Sequence, residues 1–360
     1  MKKKAIYSLM LSSLILCYNI KALRFNANTI LLPLFPATTY FFLKSLQNNK
    51  TINWILFGTL SALSILGKYS SVCLILTFGI YTLHKQQSIF KNPKLYLSIT
   101  IFLIIISPHI IWLFKTDFLT LSYMGEKTQK KHFFGYYAIL FPFSQIPYLI
   151  PTIIITILTT QKTNQGSKNF EKQTILYYFT FIPLLIMTAI GFSMNMRIIE
   201  SWGIPNWFMF CPLILQNRTI SRPRLITFFT IITSISYLTF SIFIKTLNIP
   251  TNHTQINAKQ LYNEIEHDWN LITNNRKIIY AVGNSNPIQD FIFYSKQHPH
   301  ALFEFNYKIS PWIPQNHNKN HSIAICEANN IQCQQQSLEY FSQIETTIIN
   351  KKNITIFIPK

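Results

Sequence analysis

Cations at the ends of apolar runs are the residues best placed to do chemistry in this sequence. Arg24, Lys68, Lys127, Lys130, Lys131 and Arg197 occupy such positions, and Asn26, Asn28, Tyr69 and His109 stand near them in the chain. Lysine and arginine pair strongly with phosphate, arginine as a rigid fork and lysine as a compact point charge. Ionisable groups at membrane depth are costly to keep there, so they are functional candidates by default. Candidate phosphate ligands are therefore Arg24, Asn28, Lys68, His109, Lys127, Lys130, Lys131 and Arg197. Each has a plainer reading beside it. Cations at helix ends snorkel to lipid headgroups, and Asn26 and Asn28 suit capping of a helix that opens near Thr29. His109, in Ser107-Pro108-His109, fits a hydrogen-bonded structural role at least as well as metal ligation.

The elements that must position these residues are membrane helices. Only 12% of the residues are charged, against about 25% in soluble domains, so most of this chain has a solvent other than water. Residues 1–245 carry 23 Lys/Arg and four acids, whereas residues 246–360 carry nine and eight. The first segment reads as a polytopic α-helical membrane region and the second as a soluble domain. The net charge of +20 does not point to nucleic acid, because the basic residues sit in ones, twos and threes between apolar runs, with no basic stripe on a soluble stretch. Runs at 5–20, 29–45, 52–66, 71–84, 95–114, 136–160, 175–195, 204–216 and 226–244 predict about nine spans, three of them short or partly re-entrant.

Orientation follows from the short loops. With the N-terminus in the cytoplasm, 14 basic residues face inward and nine outward, and the tail lies outside. Five of the nine outward cations cluster in or beside loop 115–131 and at Arg197. They run against the inside-positive rule, which is itself a reason to look for a purpose. The basic start at residues 1–4 also resembles a signal-peptide n-region, but no small-x-small cleavage site follows it, so the first run is read as a retained helix.

From residue 255 the texture changes to α/β. Helices are predicted at 259–269, 287–296 and 337–349, and strands at 277–282, 321–326 and 354–358, with a turn at Gly283-Asn284. Cys17, Cys73 and Cys211 lie in apolar runs as small hydrophobes. Cys326 and Cys333 would form a small disulfide loop if the tail occupies an oxidising compartment.

Several of these segments resemble one family in order and spacing over about residues 20–245. They are Arg24-Phe25-Asn26-Ala27-Asn28-Thr29-Ile30-Leu31-Leu32-Pro33-Leu34, Leu66-Gly67-Lys68-Tyr69-Ser70, and Pro108-His109-Ile110-Ile111-Trp112 with Phe118 and Glu126. The last is Ser201-Trp202-Gly203-Ile204-Pro205-Asn206-Trp207. Together they are similar to bacterial family 39-type glycosyltransferases of the GT-C class, membrane enzymes related to protein O-mannosyltransferases and to rhizobial galacturonosyltransferases. The resemblance implies transfer of a sugar from a polyprenyl-phosphate donor to a glycolipid or other envelope acceptor, outside the cytoplasmic membrane. Inverting transfer needs a carboxylate to take the acceptor hydroxyl proton. The outward acids before residue 245 are Asp117, Glu126 and Glu200, and of these Asp117 and Glu126 are the catalytic candidates. Relatives carry an acidic pair in a first outer loop that this chain lacks, and many carry Asp where Asn26 and Asn28 stand. The sequence therefore reads as truncated at the N-terminus. The alternative is a non-catalytic membrane protein, an inactive remnant or a subunit that binds the lipid carrier. No cofactor is assigned, and a divalent metal is left open.

Overall fold

In the computed structural model the described residues are 2–22, 25–121, 135–163, 170–246, 258–351 and 353–360. The chain divides into two compact units, Met1–Phe243 and Ile244–Lys360.

The first unit is helical. In chain order it contains α1 (Lys2–Ser12), α2 (Leu31–Asn48), α3 (Thr51–Gly67), α4 (Val72–Lys85), α5 (Pro93–Lys115), α6 (Gly135–Ser144), α7 (Ile146–Thr159), α8 (Phe170–Ser193), α9 (Phe210–Leu215) and α10 (Pro223–Thr246). Among the described residues four helical stretches are long and apolar enough to cross a membrane: Pro93–Lys115, Gly135–Thr159, Lys172–Ser193 and Pro223–Phe240. Thr51–Gly67 is a shorter apolar helix. The run at 5–20 is not one continuous helix, since α1 ends at Ser12 and a π-helical turn, Cys17–Lys21, follows. The run at 204–216 is a 3₁₀ segment, Glu200–Met209, leading into the short α9.

Local chemistry accounts for the helix ends. Asn49 closes α2 in the left-handed conformation (φ 49°) and donates its N–H to Ser45, a role asparagine accepts more readily than most residues. Its side-chain oxygen then accepts from the Trp54 indole at 2.9 Å and the Asn92 amide at 2.7 Å. Asn92 in turn caps α5, accepting from the Lys94 N–H at 3.0 Å, with Pro93 in the first helical turn. One asparagine thus ties the loop between α2 and α3 to the start of α5.

The α3 and α5 helices are packed to backbone contact. A Cβ placed on Gly58 would lie 2.3 Å from the Ser98 carbonyl oxygen, so only glycine permits this approach, as small residues do at membrane helix interfaces. We expect Gly58→Ala to destabilise the unit by about 1–3 kcal/mol, read as a lower thermal unfolding midpoint in detergent. Gly79 on α4 has nothing within 4 Å of its virtual Cβ, and Gly79→Ala should leave the midpoint unchanged. Two buried apolar clusters flank this arrangement. One joins α2, α3, α4 and α8 through Phe42, Phe57, Phe78, Tyr81 and Phe179, with ring centroids 4.7–6.1 Å apart around Phe42. The other joins α1, α6, α7, α8 and α9 through Leu11, Phe141, Leu149, Leu184 and Cys211. A two-stranded ribbon, β1 (Thr160–Lys162) with β2 (Arg218–Ile220), links the end of α7 to the approach to α10.

The second unit is a five-stranded mixed sheet in the order β4-β3-β5-β7-β6, with β3 (Tyr280–Gly283), β4 (His300–Phe303), β5 (Ser322–Glu327), β6 (Thr346–Lys351) and β7 (Ile354–Pro359). The β3 strand runs parallel to β4 and β5, and the remaining pairs are antiparallel. Strand alternation sends Ala281, Ile323, Ile325, Ile356 and Ile358 to one face, under α11 (Ala258–Thr273) and α12 (Ser285–Tyr294). It sends Val282, Ala324, Cys326 and Phe357 to the other, under α13 (Ile331–Tyr340). Both faces are covered, which is why β5 and β7 read as unbroken apolar runs.

Gly283 sits at φ 124°, and a Cβ there would meet the Ile325 carbonyl at 2.3 Å. The glycine closes β3 against β5. The helix expected at 337–349 is corrected. Asn330 caps a helix that begins earlier, accepting from the Cys333 N–H at 3.0 Å, and Thr346–Lys351 is a strand paired with β7. The β-branched run Thr346-Thr347-Ile348-Ile349 prefers a pleated surface, and the partner strand supplies one.

Candidate functional site

Lys68 follows the last residue of α3, where the chain leaves the helix in an extended conformation (φ −167°, ψ 134°) before a 3₁₀ turn, Tyr69–Ser71. The turn is pinned from below, because Ser71 donates its hydroxyl to the Ser64 carbonyl at 2.7 Å and its N–H to the Lys68 carbonyl at 3.0 Å. Neighbouring side chains are thereby aimed at different partners. The Lys68 ammonium donates to Asn28 Oδ1 and lies 4.7 Å from the centroid of the Trp202 ring. Burial lowers its pKa from the ordinary lysine value to about 8, and no carboxylate is described beside it to oppose that. The Tyr69 hydroxyl meets His109 Nε2 at 2.7 Å and Thr120 Oγ1 at 2.7 Å. His109 in turn stacks on Trp112, with centroids 5.6 Å apart and planes 19° from parallel.

The start of α2, the end of α3 and the end of α5 thus meet. The Gly58–Ser98 contact and the Tyr69–His109 bond are separated by the same number of residues along both chains, so α3 and α5 run side by side in one direction. We expect Tyr69→Phe, which strands His109 and Thr120, to cost about 1–2 kcal/mol in the thermal stability of the purified chain. Thr120→Val should cost less, because Tyr69 keeps its bond to His109.

A third partner comes from far along the chain. The 3₁₀ segment Glu200–Met209 carries Trp202, and a buried side chain between α6 and α7 holds that segment. Gln145 donates to the Glu200 carbonyl at 3.0 Å and accepts from the Trp207 indole at 3.3 Å. Gly203 packs against it, a Cβ there falling 2.2 Å from Gln145 Oε1. The Tyr148 hydroxyl adds a hydrogen bond to the Glu200 carboxylate. Asn206, 1% exposed, has neither amide atom partnered among the described residues. Such a group is costly unless something fills its valence.

The candidates read from sequence do not all come together. Asn28 and Lys68 touch, and His109 joins them through Tyr69. Asn26 takes the plainer role, its side-chain oxygen accepting from the N–H groups of Asn28 and Thr29 at 2.8 and 3.4 Å. Asp117 and Arg197 are not among the partners of Lys68 and Asn28. Asp117, at φ 48° in the turn after α5, has no hydrogen bond or ion pair among the described residues, and Arg197 lies over the Tyr137 ring at 5.1 Å. Arg24, Glu126, Lys127, Lys130 and Lys131 lie outside the described residues. Sequence reasoning missed Gln145, Tyr148 and Thr120 altogether. Trp202 stood only in a quoted motif, with no signal for its cation partner. Among the described residues no cluster of His, Cys, Asp or Glu is arranged to hold a metal.

Apolar helices of spanning length, and a half-buried lysine at the helix ends with a ring and an amide around it, define a polytopic membrane protein with a polar centre at Lys68 in its helical unit. Residues 1–112 match the family model described as dolichyl-phosphate-mannose-protein mannosyltransferase, which points to a membrane glycosyltransferase. The matched stretch contains Asn28, Lys68, Tyr69 and His109 and stops at Trp112. Comparison with curated proteins returns no match, and neither does comparison with solved structures.

Proposed function

We propose that the helical unit is a GT-C-type membrane glycosyltransferase that holds the phosphate of a polyprenyl-phosphate-linked sugar at Lys68. The sugar is passed to an envelope glycolipid or another acceptor on the outer side of the cytoplasmic membrane. The carrying observation is the Lys68 ammonium, half-buried and held by one amide and one ring with no described counter-charge. A partly buried cation without a carboxylate partner carries a desolvation cost, and a phosphate oxygen is the anion that would compensate it. The match of residues 1–112 supports the donor class, since the family's name specifies a dolichyl-phosphate sugar. In this reading the chain spans the membrane about nine times with its N-terminus inside. Arg24, Lys127, Lys130, Lys131 and Arg197 add positive charge on the donor side, and Asp117 or Glu126 serves as the base. The Cys326–Cys333 bond supports an extracytoplasmic second unit, because such bonds persist in oxidising compartments.

One observation favours a second reading. The group facing Lys68 is the amide of Asn28, which cannot act as a base, and that suits a subunit that binds the lipid carrier without transferring its sugar. The test uses the full chain in lipid nanodiscs, with polyprenyl phosphate as probe and a polyprenyl-phosphate sugar in a transfer assay. Saturable binding weakened by Lys68→Ala supports a phosphate site at Lys68, and turnover separates enzyme from binding subunit. Binding that Lys68→Ala leaves unchanged overturns both readings.

A further inference from the structure

An open groove of about 530 Å³ lies on the second unit. Its floor is β4, the edge strand of the sheet, and its walls are the end of α12 and the segment after β4. Two aromatic side chains stand in it largely exposed, Phe293 at 74% and Trp312 at 51%, and Gln289, His298 and His300 supply its polar lining. No lysine, arginine, aspartate or glutamate lines it.

Three features decide what it can hold. First, much of the open edge of β4 is already taken. The Trp312 indole donates to the Ala301 carbonyl at 2.9 Å, and the Phe303 N–H donates to Ser310 Oγ at 3.0 Å. An added peptide strand would find these groups taken, so the edge is protected against strand addition. Second, the same indole bond fixes the Trp312 ring in one orientation, with Phe303 packed edge-on at 6.5 Å. The ring is therefore a preorganised platform and not a loose surface residue. Third, the polar groups of the lining have hydrogen-bonding capacity to spare. His298 donates Nδ1–H to the Ile292 carbonyl at 3.1 Å, which leaves Nε2 open, and the Gln289 and His300 side chains have no hydrogen-bond partner among the described residues. A flat apolar face beside hydrogen-bonding groups, with no carboxylate, lysine or arginine among them, matches a sugar ring, which presents C–H groups on its face and hydroxyls at its rim. The volume is in the range of small-ligand sites, about 300–1,000 Å³, enough for two or three such rings.

We propose that this groove is a saccharide site that takes a neutral oligosaccharide segment by stacking on Trp312 and Phe293. It rests on the glycosyltransferase reading for its biological sense, as a place where the glycan of the acceptor is held, but its chemistry stands on the groove alone.

The test is binding of neutral trisaccharides, mannotriose and glucotriose, to the full chain in detergent, followed by saturation-transfer NMR and by quenching of tryptophan fluorescence. We expect saturable binding that Trp312→Ala weakens by about tenfold or more. Phe293→Ser, at a site too exposed to affect folding, should weaken it several-fold, and Lys68→Ala should leave it unchanged. Sedimentation with neutral and anionic lipid vesicles runs in parallel on the same variants. Absence of saturable saccharide binding overturns the proposal. So does binding that survives both aromatic substitutions, or an effect of those substitutions on vesicle association in place of saccharide binding, which would make the groove a membrane contact. Failure of the transfer assay with groove binding retained would count against the glycosyltransferase reading and not against the groove.

Discussion

Lys68→Ala is expected to weaken binding of polyprenyl phosphate to the full chain by about 10- to 100-fold, the equivalent of one charge-assisted contact of about 1.5–3 kcal/mol. The turn that carries residue 68 should survive, because it is held by Ser71 against Ser64 and not by the lysine side chain. A change in thermal midpoint of several degrees would signal a structural cause, and the two outcomes are read on the same preparation. Lys68→Arg should rescue only partly. The ammonium sits between Asn28 and the face of Trp202, and a planar fork cannot take both places with the same geometry.

The pH dependence has a definite sign. Because burial lowers the pKa of Lys68 to about 8, its charge is lost as pH rises through 8, well before an exposed lysine would lose it. If phosphate requires the ammonium, affinity is level below that value and falls about tenfold per unit above it. The bound phosphate raises the pKa, so the complex holds its proton longer than the free protein. Titration of binding between pH 7 and 10 in nanodiscs checks this, and the Lys68→Ala variant should show no such fall.

The second large effect concerns the disulfide. Cys326 ends up beside Cys333, seven residues on, within an apolar cluster with Val282, Leu302 and Phe357. Closing a loop of that length restricts the unfolded chain by about 2.5 kcal/mol on the chain-entropy account. Replacing both cysteines by serine should cost at least that much in urea unfolding of the second unit, since two hydroxyls would also enter the buried face of α13. In intact cells the wild-type pair should resist thiol-specific labelling until a reductant is added. Labelling without reductant would place the second unit in a reducing compartment and overturn the proposed topology.

Much of the fold was legible because membrane helices and buried strands announce themselves by composition. The apolar runs at 52–66, 95–114 and 175–195 became α3, α5 and α8, and the cysteine pair at 326 and 333 became a bond. The helix expected at 337–349 was misjudged because a β-branched run next to a helix is ambiguous until its partner strand is known, and that partner, β7, comes later in the chain. The run at 5–20 was legible as apolar but not as broken, since nothing in Ser12-Ser13-Leu14-Ile15 demands an interruption at the level of sequence.

For the site the division is sharper. Sequence by itself determined which residues were unusual: a lysine, an asparagine and a histidine at the ends of apolar runs, where charge and polarity are expensive. Only the tertiary structure decided which of them meet. Asn28 reaches Lys68 and His109 reaches Tyr69, each across 40 residues of sequence. Trp202 covers Lys68 only because Gln145, from another pair of helices, holds the 3₁₀ segment in place. Cost per residue is a local property and can be read along the chain. Contact depends on how helices cross, and that is settled by packing among residues such as Gly58 and Ser98, whose significance no single stretch of sequence contains.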